Sequence, residues 1–225
     1  MIRRLPPWVE IGTFSLALTA GAVNAIGLLG FAHQLVSHLT GSSTLLGLEL
    51  ANGDLPAAWH LLLVLLSFVG GAAISGLIVR DATLVIARRY SLCLLLEAGL
   101  LLAAWAALTQ GSNIGHLLAS AACGLQNAMA SSFSGALVRT THVTGLFTDL
   151  GLMLGRWLRG IPTEPRFATL YLLIIGGFIC GGTLGALAYQ SRGYQALAMP
   201  AAIAGLLALA NLRLWQLHRA GPSRL

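Results

Sequence analysis

Apolar residues along this chain gather in long runs instead of alternating with polar ones. Six runs reach the roughly 20 residues that a helix needs to cross a hydrocarbon core. They cover residues 9–29, 57–79, 90–108, 114–137, 167–189 and 196–214. Two further stretches, 38–50 and 142–154, are apolar but short and rich in threonine, glycine and serine. The pattern predicts an all-α polytopic membrane protein with six transmembrane helices and two short Thr-Gly helices, broken or re-entrant.

The two short stretches align without a gap. Ser37-His38-Leu39-Thr40-Gly41-Ser42-Ser43-Thr44-Leu45-Leu46-Gly47 and Thr141-His142-Val143-Thr144-Gly145-Leu146-Phe147-Thr148-Asp149-Leu150-Gly151 are identical at six of eleven positions. Upstream, Gly21-Ala22-Val23-Asn24-Ala25 parallels Gly124-Leu125-Gln126-Asn127-Ala128. Downstream, Ser67, Gly71 and Ser75 correspond to Gly177, Gly181 and Gly185, each set spaced by four and therefore on one helix face. The offset grows by six residues between these markers, which places an insertion in the loop 156–166. Two repeats follow, 1–108 and 109–225, each a long helix, a Thr-Gly segment (38–50 or 142–154) and two more helices.

Composition narrows the picture. Of 225 residues 56% are hydrophobic and 9% charged, too few charges to clothe a soluble surface. The net charge of +6 comes from thirteen arginines without a lysine, placed between apolar runs and not in a patch. That placement predicts orientation in a membrane and no nucleic-acid partner. With six crossings and a cytoplasmic N-terminus, only Arg192 lies outside; with eight, Arg80, Arg88 and Arg89 would be external. The reading is an inverted 3+3 repeat with both termini cytoplasmic in a bacterial inner (plasma) membrane. Arg3 and Arg4 ahead of an apolar stretch resemble a signal peptide, but the following segment recurs later and reads as a permanent span. Cys93, Cys123 and Cys180 all lie in apolar runs and suggest no disulfide framework.

Several residues are candidates for chemistry. A short helix cannot span, so the breaks at Thr40-Gly41 and Thr144-Gly145 are expected in the protein interior, with Thr40 and Thr144 as N-caps. Free N–H groups at such helix starts suit an anion or polar solute, and paired broken helices build the central sites of many secondary transporters. His38, Thr40, Gly41, Thr44, His142, Thr144, Gly145 and Thr148 would then line the site, against the plainer reading that Thr-Gly only packs tightly. Asn24 and Asn127 either line the same cavity or make interhelical hydrogen bonds, worth about 0.6 kcal/mol each. Glu97, mid-run and without an acidic counterpart near Leu207, is either a proton-coupling site or a protonated structural group. The small-residue faces at 67–75 and 177–185 favour internal packing, with a homodimer seam as the alternative. His33, His60, His116 and His218 fall near helix ends and form no metal motif, and no nucleophile or phosphate loop points to an enzyme or a cofactor.

The Gly-x-x-Asn-Ala element, His-Leu-Thr-Gly followed by Leu-Gly, and Gly-Leu-Gln-Asn-Ala with Arg-Thr-Thr-His-Val-Thr-Gly resemble the YoaK-like family of bacterial inner-membrane proteins over nearly the whole chain. The resemblance implies six passes and that location, and it implies no substrate, because the family's domain is one of unknown function. The family's Thr-Gly is typically followed by asparagine, whereas Ser42 and Leu146 stand here. Any ligand contact would therefore fall on backbone and on Thr40, Thr44, Thr144 and Thr148. The expected function is a small secondary transporter of an unidentified solute, one half rocking against the other. A membrane subunit or scaffold and a passive channel are the alternatives.

Overall fold

The computed structural model describes residues 7–30, 39–79, 88–134 and 140–220, apart from the side chains of 133, 134 and 218–220. All regular structure among them is helical. The elements are α1 (Pro7–Gly30), α2 (Leu39–Asn52), α3 (Leu55–Ile78), α4 (Arg88–Thr109), α5 (Ile114–Ser134), α6 (Val143–Leu158), α7 (Pro165–Arg192) and α8 (Ala198–Ala220). A 3-10 turn, Gly193–Leu197, joins the last two. Six helices have 21 to 28 residues, whereas α2 has 14 and α6 has 16. At 1.5 Å per residue the two short ones fall below the roughly 30 Å of a hydrocarbon core.

Four stretches are long and apolar enough to cross a membrane: Pro7–Gly30, Leu55–Ile78, Arg88–Thr109 and Pro165–Leu217, the last including α7 and α8. The outer surface fits that environment. Leu77, Leu158 and Leu217 are each about 70% exposed or more (78%, 71% and 68%), as lipid-facing side chains would be. Each of the five tryptophans sits near a helix end. Trp8, Trp157 and Trp215 lie at one end of the bundle and Trp59 and Trp105 at the other, the two levels at which indoles anchor a span to membrane interfaces.

The repeat seen in the sequence reappears in the packing. Helix α1 lies along α7 in the same direction, Phe14, Leu18 and Ala22 meeting Gly177, Gly181 and Gly185 in step. Helix α3 lies along α5 in the same way, with His60, Val64 and Phe68 facing His116, Ser120 and Gly124. The two seams match residue for residue. A Cβ on Gly181 would strike the Leu18 carbonyl and one on Gly71 the Ala121 carbonyl; Gly21 abuts Phe178, and Gly124 abuts Phe68. Only glycine permits such close backbone approach. The small residues at 67–75 and 177–185 thus serve internal packing. Each seam joins a helix from the first half of the chain to one from the second half.

Helix α5 runs antiparallel to α1: Val23 and Ile26 cluster with Ala119, Ala122 and Cys123, while Ala17 clusters with Ala130. Helix α8 runs antiparallel to α4, Ser91 bonding Asn211 while Leu101 and Leu108 cluster with Leu197 and Ala201. The six long helices therefore alternate in direction along the chain.

The short helices are peripheral. Helix α2 packs on α3 and α6 on α7. They bury one residue each, Ser42 and Leu146. Both end at a glycine with positive φ, Gly53 at 76° and Gly160 at 73°. There the next N–H bonds back five residues, Asp54 to Glu49 O at 3.0 Å and Ile161 to Arg156 O at 3.0 Å. The interior position expected of the Thr-Gly starts is not what the fold adopts. The glycine-cut faces that admit a neighbour's backbone belong to α1, α3, α5 and α7, leaving the short helices outside.

Candidate functional site

Four helices, α1, α4, α5 and α8, form the centre of the bundle, and their two ends differ. Where α1 and α4 begin, they surround an open cavity of about 260 Å³. Its walls include Thr13 and Leu16 of α1, Tyr90 and Leu94 of α4, Met129 of α5, and Leu207 and Asn211 of α8. The lining is mostly apolar. Asn211 Nδ2 donates to Ser91 Oγ at 2.8 Å, so its amide is anchored to α4. Beside the cavity, α1 and α8 pack on each other more loosely than their counterparts α5 and α4.

At the other end the same helices close. Ile26, Leu101, Ala104, Ala119 and Leu197 belong to one cluster and are fully buried. These residues correspond through the repeat to the cavity walls: Ile26 to Met129, Ala119 to Leu16, Leu101 to Asn211. Outside the cluster the Tyr194 hydroxyl donates to Gly30 O at 2.6 Å, and the Tyr189 and Tyr194 rings meet edge to face at 5.5 Å. Burial, and then the neighbouring Tyr189, lifts the Tyr194 phenol above its ordinary value.

Between the ends lies a layer that holds Gln126 and Glu97. Gln126 is 1% exposed, and its Nε2 donates to Leu16 O at 2.8 Å, tying α5 to α1. Glu97 is 2% exposed, and its Oε2 has no hydrogen-bond partner among the described residues. It lies one helical turn beyond Leu94, beside Cys93 and Cys123. A structural, protonated carboxyl is held by hydrogen bonds, and this oxygen lacks one.

The sequence-predicted residues divide into two groups. Asn127 Oδ1 accepts from Thr141 Oγ1 at 3.2 Å, linking α5 to the segment ahead of α6. Asn24 is half-buried at the matching place on α1 and also has a partner. Thr44 and Thr148 are exposed, each donating to the carbonyl four residues back, Thr40 O and Thr144 O, both at 3.0 Å. Thr40 and Thr144 are exposed as well, and Gly41 and Gly145 half-buried. The N-cap of α6 is His142, not Thr144. The His142 ring folds over Gly145, where a Cβ would displace it. His38 lies outside the described residues. None of the described Thr-Gly residues is among the described walls of the cavity, which include Asn211, Thr13 and ordinary apolar side chains.

Two further groups stood out less in the sequence. Gln126 neighbours Asn127, and two adjacent amides in one apolar run were the signal available for it. His60 Nε2 and His116 Nδ1 lie 3.0 Å apart across the α3–α5 seam. Their counterparts on the other seam are Leu170 and Thr13, so the pair has no twin.

A family model described as a protein of unknown function (DUF1275) matches residues 12–210. No curated protein and no solved structure matches the chain.

Proposed function

The chain belongs to the DUF1275 family, whose description carries no activity, and we propose from the chain's own geometry that it is a small secondary transporter working by alternating access. One observation carries the reading. The repeat makes the two ends of the α1–α4–α5–α8 centre equivalent in sequence, yet one end is a cavity and the other a packed core. A carrier caught facing one side has this asymmetry, and exchanging the conformations of the two repeats yields the opposite-facing form.

In this reading the six long helices cross the bilayer as an inverted repeat. Their alternating direction, the two tiers of tryptophans and the short peripheral α2 and α6 support it. Arg88, Arg89, Arg156, Arg159, Arg166 and Arg213 gather at the end where α1 begins and Arg192 at the other, which favours a cytoplasmic cavity. The likeness to the YoaK-like proteins rests on the motifs alone. The moving bodies differ from two rocking halves. Helices α1 and α7 are interlocked backbone to backbone, as are α3 and α5, so each body takes one helix from each repeat, with α4 and α8 between them. Asn127 ties the α5 end toward the segment ahead of α6, and the Thr-Gly segments serve as outer struts.

Cysteine labelling tests the reading. With the three native cysteines replaced by alanine, Leu16→Cys should react with a membrane-impermeant maleimide from the cavity side and Ala119→Cys from the opposite side. Conditions that raise one should lower the other. An Ala119→Cys protein inert from both sides under every imposed gradient would support a scaffold. Simultaneous reaction of both would support a channel.

A further inference from the structure

Glu97 corresponds to Leu207, a wall of the present cavity, while Glu97 itself is sealed. Exchange of the two repeats would carry the carboxyl to the level Leu207 occupies now, on the opposite face. The titratable groups around it are Cys93 on its own helix and Cys123 on α5, and α3 presents Ser75; among the described residues no basic group joins them. A carboxyl in such a setting carries a proton or faces a cation that the protein does not supply. The described walls of the present cavity are mostly apolar, carry no basic side chain, and include Trp8 and Tyr90, whose rings suit an organic cation.

Resting on the transporter reading, we propose that the substrate is a small lipophilic organic cation, and that it exchanges with a proton on Glu97. The cation enters the aromatic, apolar cavity from the end where α1 begins, and as Glu97 comes free of its packing its proton leaves to that same side past Leu94, so that a carboxylate meets the cation. After the exchange of conformations it faces Glu97, and a proton arriving from the opposite side takes the carboxylate and releases it. One positive charge moves each way. Neither the aromatic cavity nor the carboxyl suffices alone: the first offers no charge, the second no room in the present form.

The purified full-length chain in weakly buffered detergent, titrated with benzyltrimethylammonium, provides the test. One proton should be released per cation bound. Apparent affinity should rise tenfold per pH unit until Glu97 is ionised and then level off. Glu97→Gln should bind at least tenfold more weakly and release no proton, whereas Glu97→Asp should keep the proton linkage. Equal binding of neopentylbenzene, the neutral isostere, would overturn the proposal, as would binding without proton release, full binding by Glu97→Gln, or no binding of benzyltrimethylammonium at any pH between 6 and 9. Alternating reactivity of Leu16→Cys and Ala119→Cys does not depend on these results. If alternation holds and the cation fails, the substrate class falls and the transporter reading stands.

Discussion

The two ends of the four-helix centre are built from matching stretches of sequence, yet one encloses about 260 Å³ and the other is filled. Residue type alone does not separate them, since both are lined largely by leucine, isoleucine and alanine. The difference lies in how α8 meets α1 compared with how α4 meets α5. A closed end thus needs no special residue, only a counterpart helix packed more closely.

The sharpest way to break the comparison is to break the seams that hold both ends. Gly181→Leu and Gly71→Leu drive a side chain into the Leu18 and Ala121 backbones, and should each cost about 3 kcal/mol or more, read as loss of monodisperse protein in detergent. Gly205→Ala, with open space around it, should change melting little. Equal tolerance at all three positions would mean the seams are not close-packed. Next in size, Ile26→Ala should cost about 2–5 kcal/mol in the packed end, but Leu16→Ala on the cavity wall only about 1 kcal/mol. Reversed values in a thermal-melt assay would assign the cavity to the wrong end.

A smaller effect is expected at the tyrosine contact. Tyr194→Phe removes the bond to Gly30 and should lower stability by about 1 kcal/mol, with a matching rise in maleimide reactivity of Ala119→Cys. Because the Tyr194 phenol is raised in the folded protein, its contribution should be present through the ordinary phenol range and lost only as pH climbs past it. Earlier loss, below pH 10, would argue against a protonated donor. Smallest of all, Asn211→Leu installs at the open end the residue its counterpart Leu101 already is. The lost bond to Ser91 and the filled space should nearly cancel, within about 1 kcal/mol, while reactivity of Leu16→Cys falls.

The sequence made the repeat legible because glycine, asparagine and Thr-Gly recur at fixed offsets, and those same glycines form the seams. Helix positions were legible because a run of some 20 apolar residues has few other uses. The cavity was not. Leu16, Met129 and Leu207 are the same residue types that fill a core, and the space between them depends on how two distant helices approach. The Thr-Gly stretches misled for a related reason: small polar residues imply a close neighbour, yet Thr44 and Thr148 spend their hydroxyls on their own helices. Glu97 was visible as a charge in an apolar run, but only the packing reveals that its Oε2 lacks a partner among the described residues.

The crossed seams also bear on how the chain is made. When α1 and α3 leave the ribosome, the helices that fit their glycine-cut faces, α7 and α5, have not yet been synthesised. Both must wait in lipid with backbone grooves unfilled, and neither product of a split gene would be self-sufficient. Co-expressed as separate polypeptides, residues 1–108 and 109–225 should rescue one another from proteolysis, an obligate partnership preserved inside a single strand.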